Sequence, residues 1–272
     1  MIKKTILLNA SVALTLATLL GTSQVLAQHV KCCDTITQNT KLDSDLDNCI
    51  GNGVVIGAPN ITLDLGGYRI DGDAVNGGSM DNGIDNTAGY EGVTIKNGRI
   101  REFTVGVKLT NATNNRLKEL VVSRNGEGIS LENSDNNHIE SNTAYSNGIG
   151  ISVNISSDGN LLEENTSFGN EMHGIAVEND SNNNRVRGNT TNDNDNWGII
   201  VAAASGTLVE RNVANGNGTD GILAPVATTL RKNTANNNVM LGINAMAGVT
   251  DGGGNKAKKN GDALQCVNVV CK

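Results

Sequence analysis

Glu132 and Glu178 lie two repeats apart in a chain that repeats about every 23 residues, and paired carboxylates at such a separation can perform acid–base chemistry. In inverting glycosidases one carboxyl group protonates the leaving oxygen while the other, roughly 6.5–9.5 Å away, activates water. Two rungs of a solenoid stacked about 4.8 Å apart would separate Glu132 from Glu178 by about 10 Å, the upper edge of that range. Lys108 and His173 stand where they would assist. The same residues would equally serve as solvated charges that keep a sheet face soluble, and a lone His before Gly174 is commonly an ordinary surface residue.

What must position these groups is a repeat. Asn142, Asn165, Asn189, Asn212 and Asn233 recur at intervals of 23, 24, 23 and 21 residues, each followed by a second Asn at 147, 170, 194, 217 and 238. A Gly closes each phrase at 150, 174, 198, 221 and 242, continued backwards by Gly128 and Gly106. The segments between are short apolar alternations, which read as strands, and none sustains the 3.6-residue period of an amphipathic helix. A leucine-rich repeat would need Leu where this chain has Asn. The expected inward set is Ile139, Ala144, Ile151 and Val153 in one coil, then Leu162, Ser167, Ile175 and Val177 in the next. Leu117, Ile139, Leu162, Val186, Leu208 and Leu230 form an aliphatic file that leads into the Asn turn.

Stacked coils place like positions above one another, so the Asn residues form a ladder in which each amide donates to one neighbour and accepts from the other. Asn also tolerates the left-handed backbone of a tight turn. Leu120 interrupts the ladder and Asn97 resumes it. The Gly file supplies positive φ or close backbone approach where each strand begins. Alternation then sends Lys108 and Thr110, Ser130 and Glu132, Ser152 and Asn154, Ala176 and Glu178 outward as a polar stripe. The stripe turns apolar at Ile200, Leu223 and Met246, and an exposed apolar run favours a protein partner.

Residues 1–27 read as a signal peptide: Lys3 and Lys4, an apolar stretch from Ile6 to about Leu20, and Val25-Leu26-Ala27 as a cleavage site. No Cys follows that site directly, which argues against a lipoprotein, and no second membrane segment follows. The expected location is secreted or periplasmic. Residues 28–91 would form the N-terminal cap and first coils, 92–253 seven coils, and 254–272 the C-terminal cap, roughly ten coils in all. The formal charge of −7 grows more negative once Lys3 and Lys4 are lost, which argues against nucleic-acid partners. Five Cys in an exported chain imply disulfides with one thiol left over. Cys266 and Cys271 enclose a short loop, and either Cys32 or Cys33 can reach Cys49; both pairs would staple the exposed ends of a solenoid. A metal site at Cys32-Cys33 has only His29 as a further ligand nearby. Asn192-Asp-Asn-Asp-Asn196 and Asp71-Gly-Asp73 offer oxygen ligands for Ca²⁺ and are equally ordinary turn compositions.

Cys32-Cys-Asp-Thr-Ile-Thr37, Leu42 to Cys49, Gly53-Val-Val-Ile-Gly57 and Ile61-Thr-Leu-Asp-Leu-Gly-Gly-Tyr-Arg-Ile-Asp-Gly72 resemble the bacterial right-handed parallel β-helix repeat proteins of the pectate-lyase-like superfold. Gly66 stands where that group's Leu-Asp-Leu-Asn-Gly phrase has Asn, and Leu264 to Cys271 resembles its terminal motif. The resemblance implies an all-β, right-handed parallel β-helix with disulfide-stapled caps, and pairs Cys32 with Cys49, leaving Cys33 free. It implies action on an extracellular or envelope polysaccharide, as a binder or as a lyase or glycoside-hydrolase-like enzyme, on the outer face of the sheet that follows each Gly. The ordered catalytic constellations of polygalacturonases, alginate epimerases and pectate lyases are absent from the sequence. That absence, with few aromatic residues, favours the alternative of a non-catalytic surface or periplasmic scaffold that presents turns to an envelope protein. A third expectation, periplasmic maturation of a metal enzyme, rests on resemblance to a copper-associated β-helix protein, and few His and Met are placed to serve it.

Overall fold

The computed structural model describes residues 29–73 and 81–272, and residues 1–27, expected to be a signal peptide, lie outside them. Every strand pairing among the described residues is parallel, and strands of one coil pair with strands of the coils before and after it. The first sheet has 11 strands in sequential order, from Asp34–Ile36 through Val105–Thr110, Glu127–Glu132, Ile149–Asn154, Ile175–Val177 and Ile199–Val201 to Cys266–Val267. The second sheet has 15 strands and carries the coils around the Asn turns. The chain is thus a parallel β-helix of about ten coils. Among the described residues no helix is long and apolar enough to cross a membrane.

The interior is a stack of aliphatic files. Leu117, Ile139, Leu162, Val186, Val209 and Leu230 are all fully buried, each worth about 1.5–3 kcal/mol of transfer free energy. Val209 occupies the place expected for Leu208: the register pairs Val186 with Val209 and Val209 with Leu230, while Leu208 pairs with Arg185 and Thr229. The inward sets of the two coils from Ile139 to Val177 are likewise buried.

Inside the turns, Asn142, Asn165, Asn189, Asn212, Asn233 and Asn255 stack through their side-chain amides. Asn165 shows the pattern. Its Nδ2 donates to Asn189 Oδ1 at 3.0 Å and to the Ile139 carbonyl at 2.8 Å. Its Oδ1 accepts from the backbone N–H and the Nδ2 of Asn142, both at 3.0 Å. Two donors and two lone pairs are all the amide possesses, so the group is buried with nothing unsatisfied.

Two expectations about this ladder are corrected. Asn97 is not part of it: the register places Gly98 opposite Leu120, and Asn97 sits one position earlier, where its Nδ2 reaches Asp64 Oδ1 at 3.2 Å. Nor do the ladder residues supply the left-handed backbone. That falls on the residue before each of them, Ser141, Glu164, Gly188, Arg211 and Lys232, with φ between 53° and 64°. These exposed or half-exposed residues tolerate the strain because the next side chain locks the turn from inside. A second ladder runs through Asn125, Asn147, Asn170, Asn194, Asn217, Asn238 and Asn260, and ends on Gln265. A third turn holds Asn115, Asn137, Asn160 and Asn184, each backbone N–H donating to the next Oδ1.

The Gly file is there for close approach and not for positive φ. A Cβ on Gly128 would meet the Gly150 carbonyl at 2.5 Å and Val122 Cγ2 at 2.8 Å. Disulfides Cys32–Cys49 and Cys266–Cys271 staple regions near the two ends, with Cα–Cα separations of 5.4 and 6.2 Å. Cys33 is a free, exposed thiol that donates to the Asn52 carbonyl at 3.2 Å.

Candidate functional site

The outer face of the first sheet has three files. Register aligns Asp85, Lys108, Ser130, Ser152, Ala176, Ile200, Leu223 and Asn244 in a middle file. Two residues further on, Thr110, Glu132 and Asn154 align, and Glu178 continues them, its N–H donating to the Val153 carbonyl. The remaining file precedes the Gly residues. Because a Cβ on each Gly would point into the core, the residue before it points out: Glu127, Ile149, His173 and Trp197.

The charges on this face are unevenly partnered. Lys108 Nζ sits 2.5 Å from Glu132 Oε1 and donates to Ser130 Oγ at 3.1 Å, so Glu132 has a direct cationic partner. Asp85 accepts from Asn52 Nδ2 at 2.7 Å and from the Thr87 N–H at 2.9 Å. Glu127 and Glu178, in contrast, have no ion-pair partner among the described residues, and Glu127 Oε2 is buried without a hydrogen-bond donor. Burial pushes the Glu178 carboxyl above the usual carboxylate range, and the Glu127 charge pushes it further. His173 is 5% exposed, its ring stacked on Trp197 with centroids 4.9 Å apart, and its Nδ1 has no partner. Burial lowers the imidazole pKa, so the ring is neutral at neutral pH and offers one donor and one acceptor nitrogen.

Of the four candidate residues, the structure joins Lys108 to Glu132 directly and sets Glu178 and His173 two coils further along the same face, about 10 Å from Glu132 by rung spacing. Sequence reasoning passed over Glu127 and Trp197. Both were legible as the residues before Gly128 and Gly198, but only the positions after each Gly were read as outward. The apolar run is also revised: Ile200 is 4% exposed, and Met246 belongs to the file of Glu178, because Asn244 is the residue that pairs with Leu223.

In the two loops considered for Ca²⁺, several of the side chains are engaged elsewhere. Asn194 is buried in the second ladder while Asn192 accepts from the Asn215 N–H. Asp71 is gripped by Arg101 through two bonds of 2.8 and 2.7 Å. Among the described residues no group of three or more His, Cys, Asp or Glu is arranged to hold a metal ion.

Fold and site together define a parallel β-helix protein with acid–base groups along the outer face of one sheet. The chain belongs to the family described as the right handed beta helix region, whose model matches residues 32–191 and 155–269. No curated protein matches the sequence. Among solved structures, the chain is similar to the A-module of the Azotobacter vinelandii mannuronan C-5 epimerase AlgE6, with 20% identity, a TM-score of 0.69, and coverage of 83% of this chain and 70% of that one. It is also similar to the Dettilon tailspike protein, at 17% identity and a TM-score of 0.63, covering 88% of this chain and 60% of that one. A third likeness is to pectate lyase Pel9A, at 14% identity and 0.56, covering 86% and 71%. At these identities the likeness is one of fold.

Proposed function

We propose that this protein is exported and binds or processes an extracellular or envelope polysaccharide along the outer face of its first sheet. The observation that carries the reading is that one outer sheet face bears Glu127, His173 and Glu178, where Glu127 Oε2 and His173 Nδ1 are buried without a hydrogen-bond partner and Glu178 has no ion-pair partner among the described residues. A mannuronan epimerase and a pectate lyase with the same fold add support, and two disulfides suit an oxidising compartment. In a catalytic version, Glu178 keeps a proton for the leaving oxygen and Glu127 or Glu132 activates the nucleophile. Lys108 pairs with Glu132, and His173 bonds a sugar hydroxyl. The scaffold reading draws on a different feature, the exposed Val239, Met240 and Leu264 near the C-terminal cap.

A glycan-binding panel, followed by reducing-end and unsaturated-uronate assays on any glycan that binds, tests the proposal. Binding is expected to weaken in Glu127→Gln and Glu178→Gln. If the glycan is cleaved, Glu178→Gln should reduce turnover by about 10²-fold or more. Absence of binding to every class of glycan would refute the reading and leave the scaffold.

A further inference from the structure

The last two coils combine exposed lysines with exposed aliphatic side chains. Residues 237–272 hold four Lys and two Asp, with no Arg and no aromatic residue, in a chain whose formal charge is −7. Lys256, Lys258, Lys259 and Lys272 are all exposed, and none has an ion-pair partner among the described residues. Both carboxylates are turned to the backbone. Asp251 accepts from the Gly253 and Val270 N–H groups, each at 2.9 Å, and Asp262 accepts from the Leu264 N–H at 2.8 Å. At the same end Val239, Met240, Leu264 and Val270 are 65, 54, 70 and 65% exposed.

Backbone hydrogen bonds bring these groups to one corner. The Asn237 N–H donates to the Lys258 carbonyl at 3.2 Å, and the N–H groups of Gly261 and Asp262 donate to the Asn238 and Met240 carbonyls at 3.0 and 2.9 Å. The turn from Lys258 to Leu264 is therefore stacked on the turn from Asn236 to Met240, one rung of about 4.8 Å away. The following segment crosses back to the same strand, where the Lys272 N–H donates to the Asn255 carbonyl at 3.1 Å, next to Lys256. Protein interfaces are depleted in Lys and enriched in Arg and aromatic residues, the reverse of what this corner offers. A bilayer surface suits it better. Aliphatic groups on turns can enter among acyl chains, while ammonium groups on flexible stems reach the headgroup phosphates.

We infer that the C-terminal end of the β-helix docks on a membrane surface rich in anionic lipid, with Lys258 and Lys259 on headgroup phosphates and Val239, Met240 and Leu264 entering the interface. The inference is independent of the polysaccharide reading. Docking by this end leaves the outer face of the first sheet uncovered along the preceding coils.

The test is flotation of the chain from residue 28, the form expected after export, with vesicles of phosphatidylcholine alone and of phosphatidylcholine mixed equally with phosphatidylglycerol. The mixed vesicles should bind roughly tenfold or more tightly, and added salt should weaken the binding. Lys258→Gln with Lys259→Gln should weaken it roughly tenfold. Val239→Ser with Leu264→Ser should do so by a similar factor with no change of charge. Lys31→Gln with Lys41→Gln, exposed in the first coils, should leave it within about twofold. Thermal unfolding of each variant separates loss of binding from loss of fold. Equal binding to the two vesicles, or equal loss in the Lys31 and Lys41 variant, would overturn the assignment. Binding that survives loss of Val239 and Leu264 and is competed by soluble polyphosphate would reduce the corner to a phosphate site and also overturn it. Failure to bind either vesicle would refute the inference and return the exposed aliphatic side chains to a protein partner, with the glycan panel untouched.

Discussion

Asn165→Ala removes one rung of the ladder, and its cost can be counted bond by bond. The amide makes four hydrogen bonds of 2.8–3.0 Å in a site 1% exposed. At about 1 kcal/mol net for each, the loss is about 4 kcal/mol, falling toward about 2 if water enters and re-satisfies part of the set. Asn142 makes three comparable bonds, because its neighbour Leu120 offers only a backbone N–H, so Asn142→Ala should cost about 1 kcal/mol less. Asn133 bonds to Asn111 on the exposed surface, and its replacement by Ala should cost under about 0.5 kcal/mol. Urea unfolding followed through Trp197, the single tryptophan, reads all three variants. If Asn165→Ala lies within about 1 kcal/mol of the parent with an unchanged m-value, or if Asn133→Ala costs as much, then the buried ladder is not what holds the turns.

Two pH dependences of opposite sign follow from the carboxylates. Glu210 is clasped by Arg231 and Arg185, which lower its pKa from 4.5 to about 2. Between those values the unfolded chain binds the extra proton, so stability is lost as pH falls; both guanidinium groups are over 40% exposed, and solvent screening leaves about 1–2 kcal/mol. Thermal melts should therefore show a flatter acid limb in Glu210→Gln. Glu178 behaves in reverse: its folded pKa lies above the ordinary 4.5, so the native state holds the proton more tightly and stability declines as pH rises through that window. Glu178→Gln should abolish the decline, and an unchanged profile would show that its carboxyl group is not desolvated.

Much of this was legible in the text of the chain because parallel stacking turns sequence period into vertical alignment. Asn142 to Asn233 share a period and a residue type, and the ladder follows from both. Asn97 misled because it shares the type but not the register: Gly98 holds the equivalent place, and identity of residue was mistaken for identity of position. Leu208 misled for the same reason, since Val209 next to it is chemically similar and the coil-to-coil interval is not constant. The pairing of Lys108 with Glu132 on adjacent rungs was open to inference, as both were placed outward. What the linear pattern did not reveal is burial on the outside. Ser130 and Ser152 point away from the core and are still 1% and 2% exposed, which strand alternation alone does not predict. The unmet needs of Glu127 and His173 emerge only from that enclosure.

The ladder amides take their partners from adjacent coils. A duplication or deletion of one complete coil therefore hands each surviving amide a chemically equivalent neighbour, whereas a single inserted residue shifts the alternation of everything up to the next turn. Whole coils can thus be gained or lost at little cost to the ladders, while the one- and two-residue differences between coils must be absorbed outside the paired strands, so the reach of the molecule is a property that selection can adjust one notch at a time.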